Sequence, residues 1–165
     1  MTTGPLLIIW HSRTGTSEQL AAAAFKGAGE EAGEGSRLLR ACDTTPDDLL
    51  AAGGYLFCCP ENLASMSGEM KEMFDRCYYP VLGRIEGRPY ATVIAAGSDG
   101  EGAQRQLDRI AKGWRLKRVT DPWIVMTDAQ EPEEILAPKT VSDSERARAA
   151  ELGAALAEGI AQGIF

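Results

Sequence analysis

Imidazole and metal-binding thiol pairs are scarce in this chain. His11 is the only histidine in 165 residues, and the four cysteines, Cys42, Cys58, Cys59 and Cys77, form no Cys-x-x-Cys pair. A zinc site, which gathers such ligands at set spacings, is therefore not expected. Cys58 and Cys59 lie in an apolar run and read as small buried hydrophobes. Thiols used this way suit a reducing, cytoplasmic setting. Positive charge is also in deficit, with 17 Lys and Arg against 24 Asp and Glu and a net charge of −7. That balance argues against nucleic acid as a partner, because phosphate contacts need a basic face. It serves solubility, or docking on a basic protein. No stretch reaches the ~20 apolar residues of a membrane helix. The first apolar run, Leu6–Trp10, has five residues and no basic segment before it, so no signal peptide is expected. Linkers, internal repeats and low-complexity tracts are missing as well, which predicts one domain over residues 1–165.

Short apolar runs alternate with helical patterns along that length. Leu6–Trp10 predicts a buried strand, and Gln19–Ala32 follows with Leu20, Ala21, Ala24, Phe25 and Ala28 at helical spacing. Ser36–Cys42 is a second strand candidate. Thr45-Pro46-Asp47-Asp48 is a helix start: a cap residue, a first-turn proline, then acids at the positive end. Tyr55–Cys59 is the third strand, expected to stop at Pro60 and give way to a loop over Pro60–Ser67. A helix over Gly68–Tyr79 puts Met70, Met73, Phe74 and Cys77 on one face, and Tyr90–Ala96 is the fourth strand. Ser98 and Glu101 have capping-box spacing ahead of a helix near Ala103–Trp114. Trp123–Met126 is the fifth strand, Ala129–Val141 a polar connection, and Ser142 with Glu145 a second capping box opening the last helix. Strands that read as continuous apolar runs are buried on both faces, so the fold class is α/β with a parallel sheet covered by helices.

In an open parallel α/β sheet, ligands bind beyond the carboxyl ends of the strands. Three loops lie there: 11–17, 60–68 and 97–102. The first carries the hydroxyls of Ser12, Thr14, Thr16 and Ser17 and the backbone of Gly15, and it opens a helix. Free amides at a helix start attract phosphate, and glycine lets the chain wrap closely around it. No lysine lies in the loop, so it is not the triphosphate loop that needs one after its second glycine. A single phosphate monoester fits better, with Arg13 available to add charge; a plain polar helix cap is the alternative. The Cys-x(5)-Arg loop of low-molecular-weight phosphatases is absent, since none of the cysteines has an arginine at that spacing.

Ser12-Arg13-Thr14-Gly15-Thr16-Ser17 resembles the FMN-phosphate loop of flavodoxins. Pro60-Glu61-Asn62-Leu63-Ala64-Ser65-Met66-Ser67-Gly68-Glu69-Met70-Lys71 resembles the segment that lines the flavin ring in flavodoxin-like NAD(P)H:quinone reductases and FMN reductases, and Phe74-Asp75-Arg76 continues it. The resemblance implies a three-layer α-β-α sandwich with a five-stranded parallel sheet in the order 2-1-3-4-5. It also implies noncovalent FMN, its phosphate on Ser12, Thr14, Gly15, Thr16 and Ser17, with Arg13 counted among the cofactor-binding residues. The ring would lie between Pro60, Glu61, Asn62, Leu63, Ala64, Ser65 and Met66 on one side and Gly97, Ser98, Asp99 and Gly100 on the other. Glu61 and Asp99 are candidates for acids that disfavour an anionic reduced flavin, or else solvated loop charges. Neither ring loop has an aromatic residue, whereas electron-carrier flavodoxins usually sandwich the ring between aromatics. That departure favours an NAD(P)H-dependent oxidoreductase acting on a quinone or similar small acceptor. A flavodoxin-type electron carrier working on a redox protein partner is the alternative, and a cofactor-free binding module of the same fold is a third. A homodimer is compatible with the first reading. His11 stands where relatives more often have tyrosine or serine, and the sequence leaves open whether it faces the ligand or only the fold.

Overall fold

The structure, a computed structural model, describes residues 4–31 and 35–165. Its elements are β1 (Leu6–Trp10), α1 (Thr16–Glu31), β2 (Arg37–Arg40), a 3-10 turn (Ala41–Asp43), α2 (Pro46–Ala51), β3 (Gly54–Asn62), β4 (Ser65–Met66), α3 (Gly68–Val81), β5 (Pro89–Ala96), α4 (Glu101–Gly113), β6 (Lys117–Arg118), β7 (Trp123–Met126), α5 (Pro132–Leu136) and α6 (Asp143–Gln162). The sheet runs β2-β1-β3-β5, and its fifth position is shared by β6 and β7, both paired parallel to β5. This is the flavodoxin-like order 2-1-3-4-5 with the last strand broken in two. The break falls at Thr120-Asp121-Pro122, where proline has no N–H to give the ladder.

Side chains alternate across the sheet as the pleat requires. Leu7, Ile9, Tyr55 and Phe57 point to one face, where Met70, Met73, Phe74 and Trp114 cover them from α3 and the end of α4. Leu6, Ile8, Leu56 and Cys58 point to the other, under Ala24, Ala28 and Leu156 from α1 and α6. Three layers result. The expected caps form at both Thr45 with Asp48 and Ser142 with Glu145.

On the second face two glycines bring helix backbones into contact. A Cβ on Gly27 would stand 2.1 Å from the carbonyl oxygen of Ala150, and one on Gly153 would stand 1.9 Å from that of Ala24. Helices α1 and α6 therefore pack without side chains between them at these points.

Three expectations need correction. The second strand is shorter than Ser36–Cys42, because the chain turns into the 3-10 helix at Ala41, whose side chain is buried. The first helix starts at Thr16, not Gln19, since Gly15 O already accepts the Gln19 N–H at 3.0 Å; its expected end at Ala32 lies outside the described residues. The third strand does not stop at Pro60. It runs on to Asn62, because Glu61 and Asn62 pair antiparallel with Met66 and Ser65. Pro60 loses nothing by lacking an N–H, and its carbonyl accepts from Ser67 N at 3.1 Å.

Cys58, Cys59 and Cys77 are buried and Cys42 is exposed. Burial raises the three buried thiols, that of Cys59 to about 12. Thiolates react and thiols do not. Alkylation of the native protein near neutral pH is thus expected to label Cys42 alone, and alkylation in denaturant to label all four cysteines, which peptide mass spectrometry would read.

Candidate functional site

The loop from His11 to Gly15 turns β1 into α1 through Gly15, whose φ is +107°. Ser12 Oγ accepts the Gly15 N–H at 3.0 Å and shapes the turn. Thr16 and Ser17 fill the first helical turn and are 4% and 1% exposed, yet Thr16 Oγ1 and Ser17 Oγ have no hydrogen-bond partner. A buried hydroxyl left so costs about 1–3 kcal/mol. The first-turn amides beside them also lack intrahelical partners and sit at the positive end of α1. Orphaned hydroxyls, unpaired amides and a glycine turn together fit a phosphate monoester. Arg13 lies at the rim, 3.9 Å from Glu69. Its Nε donates to Asn62 at 3.2 Å when the Asn62 amide is turned to satisfy both neighbours.

The second loop is a β-hairpin. Leu63 (φ 52°) and Ala64 (φ 64°) form its two-residue turn, both left-handed and neither glycine. Such a turn ordinarily takes Asn-Gly, and a residue held there costs on the order of 1–3 kcal/mol. The surroundings hold it. Gln106 Oε1 accepts Met66 N at 2.8 Å and Ser65 Oγ at 3.1 Å. The carbonyl of Ala64 lies against Gly102, where a Cβ would stand only 2.1 Å away. Glu61 accepts the N–H groups of Gly100 (2.8 Å) and Ala103 (3.2 Å) and so caps α4 from another loop. The expected Ser98–Glu101 capping box does not form. Gly100 takes the cap position with no side chain to offer, and Asp99 accepts the Glu101 N–H instead.

His11 fastens the first loop to the start of α3. Its Nδ1 is 2.8 Å from Ser67 Oγ and its Nε2 is 3.5 Å from Glu69. Partial burial holds its pKa below the ordinary value against the pull of Glu69.

A third wall comes from the polar connection after β7. Thr127 N donates to Ala96 O at 2.8 Å, Asp128 is left-handed at φ 57°, and the Ala129 carbonyl lies where a Cβ on Gly97 would be 2.7 Å away. Gly97 thus lets this strap cross the end of β5. The strap carries α5, begun by a Glu131–Glu134 capping box, and returns to the phosphate loop, where Lys139 N donates to Thr14 O at 2.7 Å. Gln19 reinforces the return by donating to Gly15 O (2.9 Å) and Lys139 O (2.8 Å) and accepting from Val141 N (3.2 Å) and Arg146 (2.8 Å).

These walls enclose a cavity of about 510 Å³. Of the residues singled out in the sequence, Ser12, Arg13, Thr14, Thr16, Ser17, Pro60, Glu61, Asn62, Leu63, Gly97 and Ser98 line it. Gly15, Ala64, Ser65, Met66, Asp99 and Gly100 shape the loops without lining it, and His11 stands outside as well. The sequence reading missed Ala95 and Ala96 at the end of β5, and Thr127, Ala129, Gln130, Ile135, Leu136 and Lys139 on the strap. The Glu131-Pro132-Glu133-Glu134 cap was the available signal for structure there. No aromatic residue lines the cavity among the described residues.

Fold and cradle define a flavodoxin-like mononucleotide-binding protein. An archaeal flavodoxin superposes with a TM-score of 0.76 at 15% identity, covering 94% of this chain and 97% of its own. A WrbA-like flavodoxin from Agrobacterium tumefaciens gives 0.74 at 17% identity, covering 97% and 99%. The chain belongs to the NADPH-dependent FMN reductase family, which it matches over residues 41–131. It is also 30% identical over 99 residues to a flavodoxin of Aquifex aeolicus, taking in 60% of this chain and 54% of that one, so it spans about half the length of that curated relative. FMN is its cofactor. No helix among the described residues is long and apolar enough to cross a membrane.

Proposed function

We propose that FMN lies in this cavity with its phosphate on Ser12, Thr14, Gly15, Thr16 and Ser17 and its ring between residues 60–66 and 97–100, and that the protein passes reducing equivalents from NAD(P)H to a quinone or similar small acceptor. Bound FMN supplies one- and two-electron redox chemistry, and the protein supplies binding, orientation and electrostatics. The observation that carries the reading is the pair of orphaned hydroxyls, Thr16 Oγ1 and Ser17 Oγ, at a helix start that opens on the cavity. No aromatic residue lines the cavity, which leaves room for a nicotinamide or an acceptor against the ring. The Glu61 carboxylate accepts the N–H groups of Gly100 and Ala103, which ties its charge to the start of α4 at the edge of the cavity it lines.

The purified protein is expected to be yellow and to oxidise NADH or NADPH when a quinone is supplied. A yellow protein that turns over neither nucleotide would overturn the reductase reading. Similarity to a flavodoxin and a net charge of −7 favour a second reading, an electron carrier that docks on a basic redox protein. Reduction only by such a partner, at a rate that falls steeply with salt, would establish it.

A further inference from the structure

We propose that the strap between β7 and α6 is the wall on which the flavin ring packs, with Ile135 and Leu136 as its contact surface; this rests on the placing of FMN proposed above. Helix α5 has five residues and none is buried, so it contributes nothing to the core. A helix that short does not hold itself. It is nevertheless built with care. Glu131 and Glu134 cap its start, and Lys139 Nζ donates to the carbonyls of Glu134 (2.6 Å), Ile135 (3.1 Å) and Ala137 (2.6 Å) at its end. The two aliphatic side chains thus fixed are 48% and 74% exposed and line the cavity.

The rest of the cavity leaves the ring as their natural occupant. The hydroxyls and amides at the start of α1 take the phosphate end. Beyond them lie the small residues Ala95, Ala96 and Gly97, and Leu63 stands at the hairpin tip. The isoalloxazine is the large flat apolar part of FMN, and burying it needs apolar surface. Ile135 and Leu136 supply that surface without an aromatic side chain. The wall is also held at a fixed place relative to the phosphate, because Thr14 O accepts Lys139 N and Gln19 bonds to both Gly15 O and Lys139 O.

The test titrates the full-length apoprotein with FMN and, separately, with ribose 5-phosphate, which has the phosphate and no ring. In the double variant Ile135→Ser/Leu136→Ser the Kd for FMN is expected to rise roughly 10–100-fold, as loss of two aliphatic contacts implies. The Kd for ribose 5-phosphate should stay within about two-fold, since no phosphate contact is touched. Leu136→Trp should shift the visible spectrum of bound FMN through direct ring contact. Both side chains are exposed, so neither variant should change the melting temperature of the apoprotein. An unchanged FMN Kd in the double variant would overturn the wall, as would equal weakening of FMN and ribose 5-phosphate. Sensitivity of FMN to Gly15→Val with indifference to the strap variants defeats the wall alone. Indifference to Gly15→Val defeats the placing of the phosphate, and the wall with it.

Discussion

Replacing Gly15 with valine should abolish FMN retention and leave the sheet folded. At φ +107° Gly15 occupies a conformation that L side chains rarely adopt, and a β-branched residue adopts it least readily. A Cβ there would also stand 3.1 Å from Gln19 Nε2 and 3.4 Å from Lys139 O. Valine would rotate the loop toward ordinary backbone angles and carry the Thr14–Ser17 amides and hydroxyls off the phosphate. The expected fall in FMN affinity is at least about 100-fold, or about 3 kcal/mol. The loop lies outside both cores, so the melting temperature of the apoprotein should move by only a few degrees, about 1–2 kcal/mol of local strain at most. Equilibrium dialysis and thermal denaturation by circular dichroism measure the two effects. FMN binding that survives the substitution would show that the phosphate sits elsewhere.

Gly153→Leu should have the largest effect on stability, at a position far from the cavity. Its Cβ would fall 1.9 Å from Ala24 O and 2.6 Å from Ala24 C, both backbone atoms of α1 that cannot swing aside. The two helices must separate, opening the face built on Leu6, Ile8 and Leu56. Overpacking of a core costs about 1–3 kcal/mol and more where backbone must move, so a loss of about 3 kcal/mol or more is expected. FMN affinity should fall too. Helix α1 carries Thr16, Ser17 and Gln19, and Arg146 on α6 donates to Gln19. Gly29→Ala on α1 is the contrast. Nothing lies within 4 Å of a Cβ there, so the change should leave binding alone and stabilise α1 by about 0.5–1 kcal/mol. Urea denaturation of the three proteins gives the comparison. Equal stability of the Gly153→Leu and Gly29→Ala proteins would refute the backbone contact between α1 and α6.

What the sequence made legible was whatever its signals settle locally. Apolar runs between helical patterns are enough for a parallel α/β sheet, its strand order comes only with the resemblance to flavodoxins, and Thr45 with Asp48 or Ser142 with Glu145 cap within four residues. Ser12–Ser17 announces a phosphate loop because the hydroxyls and the glycine that make it are contiguous. Apart from the ends of β2 and α1, which shifted for local reasons, the failures share a cause, which is a partner distant in sequence. Pro60 reads as a strand end until Met66 and Ser65 are seen to pair with Glu61 and Asn62. Ser98 and Glu101 have the right spacing for a cap, yet Glu61 supplies it from 39 residues away in the case of Gly100. The strap reads as a polar connection because its ties, Lys139 to Thr14 and to Gln19, leave no periodic trace. His11 is of the same kind, since its meaning lies in Ser67, 56 residues on.

The Gln19 contacts bear on how the protein is made. Those to Lys139, Val141 and Arg146 join residues separated by 120 to 127 positions, among the most distant ties in the described residues. A ribosome that has released the chain only as far as Met126 has delivered every strand of the sheet, but not the strap or α6. The phosphate loop then exists without the residues that hold it to the far wall. The cavity is accordingly complete only once the strap and the last helix have docked. A flavin arriving earlier would meet a half-built berth.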